Sequence, residues 1–106
     1  MVAYSATAQV LVVQFWTEDV TPIRTALEHA HVEADITRVD IEHALYAALS
    51  WRHYDIVIYD PATRTLSLAA VQAALAVSNS PAVLIVADDL STLGERVRAL
   101  LDARRN

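Results

Sequence analysis

The carboxylate of Asp60 closes the apolar run Ile56-Val57-Ile58-Tyr59 and stands directly before Pro61. A carboxylate in that place can accept a phosphoryl group, ligate a cation, or only start a turn, for which Asp-Pro is a common signal. Two further acidic pairs follow apolar runs: Glu18 and Asp19 after the first, Asp88 and Asp89 after the last. If the runs are neighbouring strands of an open α/β sheet, their ends meet where such sheets bind ligands. Asp60, Glu18 and Asp88 would then line an acidic crevice suited to Mg²⁺, which takes oxygen ligands. The plainer use of Asp89 or Ser91 is to cap a final helix.

The other reactive residue types point to little. His29, His31, His43 and His53 include no pair spaced i, i+4 on one helix, and there is no Cys to assist them. They read as surface histidines, and no metal other than Mg²⁺ at Asp60 is indicated. No G-x-S-x-G motif supports a nucleophilic serine, and an enzyme is not expected. Gly94 is the single glycine, so neither a dinucleotide-binding loop nor a Walker loop exists. A flavin or another small ligand held by an open α/β scaffold is a weaker alternative.

The formal net charge is −5, and the eight basic residues are all Arg. That balance argues against nucleic acid, whose phosphates require clustered positive charge. Arg96, Arg98, Arg104 and Arg105 instead favour the C-terminal end of a last helix. Although 55% of the residues are hydrophobic, no apolar run approaches the ~20 residues that span a bilayer. The opening MVAYSATAQ carries no basic residue and does not resemble a secretory signal. Without cysteine, a reducing cytoplasm is the expected compartment.

These groups must be positioned by elements that the hydrophobic pattern outlines. Apolar runs at Val10–Val13, Ile56–Tyr59 and Ala82–Ala87, with the alternating stretch Val32–Val39, predict four strands. Stripes of helical period lie between and after them: Val20/Ile23/Leu27/Ala30, Ile41/Ala44/Leu45/Ala48/Leu49, Leu68/Val71/Ala74/Leu75 and Leu93/Val97/Leu100/Leu101. Helix starts are signalled by Thr21 before Pro22, by Asp40, by Ser67, and by Thr92 with Glu95 three residues on. The 106 residues therefore predict one βαβαβαβα domain, a doubly wound parallel sheet in three layers, α/β/α, with strand order 2-1-3-4. Alternating residues suit the second strand to an edge. The fourth strand would be the other edge, yet it is as apolar as a central strand. Something is expected to cover it.

Several stretches together resemble the receiver domain of two-component response regulators. QVLVV followed by an acidic helix start is similar to the family's first strand and helix, and EHALYAALSWRHYDIVIYDP to its approach to the phosphoacceptor. SPAVLIVADD resembles the fourth strand, and LSTLGERVRALLDARRN the closing helix. The resemblance implies a flavodoxin-like fold and assigns Asp60 to the phosphoacceptor position. It also exposes departures. The family's Mg²⁺-binding acidic pair falls on Gln14 and Phe15, followed by Trp16, and its hydroxyl residue falls on Val86. Ala62-Thr63-Arg64-Thr65 replaces the Gly-containing loop, the chain has no Lys, and the fourth helix and fifth strand are missing.

Phosphoryl transfer to a carboxylate needs a divalent cation to offset charge, and cationic and hydroxyl donors to hold the product. The expectation is therefore a degenerate pseudo-receiver, without cofactor, that signals through a protein partner, a neighbouring domain or a second copy of itself. The alternative is an atypical receiver that phosphorylates Asp60 with Mg²⁺ held by Glu18, Asp19 or Asp88. Residues expected at the protein contact are Val83 and Ile85 on the fourth strand and Leu93, Val97, Leu100 and Leu101 on the last helix. Phe15 and Trp16 either fill the vacated pocket or form an aromatic contact. Tyr46 and Trp51 are expected to pack on the second helix with a wet edge.

Overall fold

In a computed structural model, which describes residues 7–15 and 17–105, strand and helix alternate four times. The elements are β1 (Ala8–Val13), α1 (Thr21–His29), β2 (Ala34–Val39), α2 (Glu42–Trp51), β3 (Ile56–Tyr59), α3 (Leu68–Val77), β4 (Val83–Val86) and α4 (Leu90–Arg105). All pairings are parallel and the order is β2-β1-β3-β4, a flavodoxin-like α/β arrangement. Val10 and Val12 of β1, with Ile56 and Ile58 of β3, face α1 and α4 across one core. Leu11, Val13, Val57 and Tyr59 face α2 and α3 across the other. Covered on both sides, β1 from Val10 to Val13 and all of β3 had to be apolar, whereas edge strand β2 alternates.

Local chemistry sets the helix starts, not always where the pattern places them. Ser67 caps α3, its side chain accepting the Ala70 N–H at 3.1 Å. α1 opens at Thr21-Pro22, and the Asp19 carboxylate accepts the Thr21 N–H at 2.8 Å. Asp40 does not cap α2, which begins after Ile41; its carbonyl instead accepts the Thr65 hydroxyl. α4 begins at Leu90, ahead of the Thr92 start. The reason is Asp89, whose carboxylate accepts both the N–H and the hydroxyl of Ser91.

α4 leaves the edge strand and crosses back to lie against α1. Leu93 and Val97 are fully buried there, and Ile85 beneath them is 4% exposed. This corrects their assignment to an intermolecular contact: their apolar surface is covered by the chain's own α1 and sheet. Leu100 and Leu101 are half-buried against the same core, and Val83 is half-buried at the edge. Arg98 ties the two helices together, donating to the carbonyls of Ala30 and His31 at the end of α1, at 3.3 and 3.0 Å.

The single glycine lies in this contact and not in a loop. A Cβ on Gly94 would collide with the Ala26 carbonyl oxygen of α1 and come within 2.9 Å of Ala30 Cβ. Backbone cannot yield as a side-chain end would. In an exposed helix Gly→Ala stabilises by about 1 kcal/mol; here overpacking of roughly 1–3 kcal/mol opposes that gain. Gly94→Ala is expected to lower the unfolding free energy, measured by chemical denaturation. A rise in the denaturation midpoint would show that α1 and α4 are less closely packed.

Candidate functional site

The C-terminal ends of the strands carry the sequence's best candidate, and parallel pairing brings it together. Gln14 follows β1 and Asp60 follows β3; the Asp60 N–H donates to the Val13 carbonyl at 2.9 Å, and the Gln14 N–H to that of Val39 at 3.0 Å. The two side chains therefore emerge side by side. Asp60 Oδ2 accepts from Gln14 Nε2 at 3.2 Å, and Oδ1 accepts the Ala62 N–H at 2.9 Å. The second contact is the turn that Asp-Pro predicts. The first sets a neutral amide donor against the carboxylate.

Gln14 is 4% exposed and joins a wider set of bonds. Its Nε2 also donates to the Asp19 carbonyl at 3.3 Å, and its Oε1 accepts from Arg38 Nη1 at 3.5 Å. Arg38, near the end of β2, also donates to the Glu18 carbonyl at 2.6 Å, which fastens the β1–α1 loop to the sheet. On the other side Thr63, 6% exposed, donates from Oγ1 to the Val13 carbonyl at 3.3 Å. The Tyr59 hydroxyl donates to the Leu66 carbonyl at 2.9 Å. Each loop around Asp60 is thus held by a side chain from an adjoining element.

The other candidate carboxylates go elsewhere. Asp88 pairs with Arg96 at 3.2 Å. The N–H and hydroxyl of Thr21 hold Asp19 below the usual carboxylate range, and the hydroxyl and N–H of Ser91 do the same for Asp89. Such bonds favour the ionised form and mark helix-start roles. The expected crevice of Asp60, Glu18 and Asp88 is not assembled: among the described residues no three His, Asp or Glu side chains stand together as a metal site. Phe15 is half-buried beside Gln14, and Val86 is half-buried at the end of β4. Trp16 lies outside the described residues. No family model, curated protein or solved structure matches the chain.

The remaining candidates separate cleanly. His29, His31, His43 and His53 are all exposed. Trp51, expected to pack with a wet edge, is 72% exposed, with the Arg52 guanidinium 4.2 Å from its ring centre. Tyr46 is half-buried against the α2–α3 core. A groove of about 180 Å³ lies between α1 and α4, lined by Ala26, Ala30, Gly94 and Glu95 among others. It is smaller than the roughly 300 Å³ at which small-molecule pockets begin. No helix among the described residues is long and apolar enough to cross a membrane.

Two residues of the site carry no readable signal. Arg38 is one charge on an alternating strand, and only the β1–β2 register places it beside Gln14. Thr63 is one of four polar or small residues in a loop, and its burial depends on how α3 docks. Gln14→Ala is expected to cost about 1–3 kcal/mol, because it removes the donor to Asp60 and the acceptor for Arg38 together. Equilibrium denaturation checks the loss, and amide exchange at Ala62 and Thr63 should accelerate with it. Unchanged stability would mean that the Gln14 amide holds nothing in place.

Proposed function

We propose that the chain is a degenerate receiver-like domain that acts by protein–protein contact in bacterial-type signalling in the cytoplasm. In this reading Asp60 keeps the phosphoacceptor's position without its chemistry. The observation that carries the reading is the pair of donors on Asp60, Gln14 Nε2 at 3.2 Å and the Ala62 N–H at 2.9 Å. A phosphodonor reaching this carboxylate would have to displace an amide of the chain's own. An incoming phosphoryl group must also be offset by a metal or cationic donors. Arg38, the cationic side chain bonded to Gln14, is engaged with the Gln14 amide and the Glu18 carbonyl.

The signalling part of the reading rests on the resemblance and on what the fold leaves uncovered. β4 is an edge strand with the composition of a central one, and three of its four residues are half-buried. A contact with another protein satisfies such an edge. Incubation with acetyl phosphate and Mg²⁺, followed by intact-mass measurement, tests the chemistry. The expected result is no phosphoryl adduct. An adduct that forms on the parent chain and disappears in Asp60→Asn would overturn the reading in favour of an atypical, phospho-accepting receiver.

A further inference from the structure

We infer that the partner at the β4 edge is a second copy of this chain, paired antiparallel to β4 about a twofold axis at Leu84. This rests on the reading of the chain as an interaction domain and deepens it. The Val83 N–H donates to the Asp55 carbonyl at 3.1 Å and the Ala87 N–H to that of Tyr59 at 2.8 Å. Alternation along the strand therefore turns the backbone of Val83, Ile85 and Ala87 toward β3, and that of Ala82, Leu84 and Val86 outward. Of these outward groups, the Val86 carbonyl accepts from Arg96 Nη1 and the Ala82 N–H donates to Ser80 Oγ, each at 3.2 Å. Left facing outward are both backbone groups of Leu84, the Val86 N–H and the Ala82 carbonyl.

That pattern is self-complementary. Placing Leu84 opposite Leu84 of a twofold mate lets the two residues exchange both backbone hydrogen bonds. The same register sets the Val86 N–H against the mate's Ala82 carbonyl. It also sets the two groups already satisfied within the chain, the Val86 carbonyl and the Ala82 N–H, against each other. No other register centred on this short strand matches free donors to free acceptors in this way. Within the strand itself the usual guards are lacking: Val83–Val86 has no charge, no Pro and no bulge, and a charged side chain, Arg96, reaches it at the Val86 end.

Charge selects the occupant. The chain carries a net charge of −5, yet no charged residue occurs from Thr65 to Ala87. This uncharged sector includes all of α3 and β4. Two like-charged copies can meet along that stretch with little repulsion, because the charges at its end, Arg96 and Asp88, neutralise each other within one chain. An axis perpendicular to the sheet keeps both copies of α3 on one face. The exposed α3 residues Ala73, Ala76 and Val77, the last 74% exposed, then lie along their counterparts.

The full chain should sediment at about twice its 11.7 kDa monomer mass. Leu84→Pro removes the outward N–H, a change tolerated at a strand edge, and replaces the half-buried Leu84 side chain with a smaller apolar one. It should leave the circular dichroism spectrum intact and shift the mass to the monomer. Independently, the parent has no cysteine, so Leu84→Cys introduces the sole thiol at the axis. Hydrogen-bonded antiparallel neighbours sit about 5.5 Å apart between Cα atoms, within disulfide reach. Leu84→Cys should form a covalent dimer on mild oxidation, while Ala47→Cys on exposed α2 should not. A dimer that survives Leu84→Pro and yields no Leu84→Cys crosslink would overturn this interface and leave the interaction-domain reading standing. A monomer at every concentration would also overturn the inference. The failure of the wider reading is read separately, from phosphorylation of Asp60.

Discussion

The close approach of α4 to α1 at Gly94 is the contact on which the rest of the molecule depends. Four strands leave a narrow sheet, and one face of its two central strands is closed only if the last helix crosses back from the edge. It does so by bringing Gly94 against the Ala26 carbonyl, where a Cβ would not fit. Leu93 and Val97 then reach full burial on β1 and β3, and Arg98 fastens the end of α1. A helix committed to that face is not available to extend over the β4 edge. The uncovered edge thus follows from the way the core is closed.

Closing the sheet also fixes what its C-terminal ends can do. Parallel register sets Gln14, Asp60 and Arg38 on neighbouring strand ends, and the residue types then decide the chemistry. An amide beside Asp60 donates to it instead of sharing a cation with it. With Phe15 and Val86 apolar and half-buried nearby, the polar groups that remain brace the loops. Gln14, Arg38 and Thr63 each hold backbone, which braces the strand ends. The braced end of the sheet and the uncharged β4 edge are different parts of one surface.

Much of the fold was legible because β1, β3 and the four helical stripes have burial on both faces or one face written into their periods. The strand order was legible for the same reason: alternation in β2 and unbroken apolar runs in β1 and β3 distinguish an edge from a centre. The last helix misled, since an apolar stripe such as Leu93/Val97 reads the same whether it covers its own core or another chain. The start of the last helix was legible in Asp89, which does accept from Ser91, and not in the Thr92/Glu95 pair, which lies inside the helix. At the candidate site Asp60 and Gln14 could be named from the sequence, but their hydrogen bond could not. It depends on side-chain direction across two strands separated by 46 positions. Arg38 was hidden for the same reason.

The central claim is that the chain's own amide occupies the carboxylate of Asp60. Titration with millimolar Mg²⁺, followed by amide chemical shifts, addresses it most directly. The account predicts that the resonances of Gln14, Asp60, Ala62 and Thr63 stay in place, apart from the small uniform drift that added salt produces. A saturable shift confined to those residues, and abolished by Asp60→Asn, would contradict it.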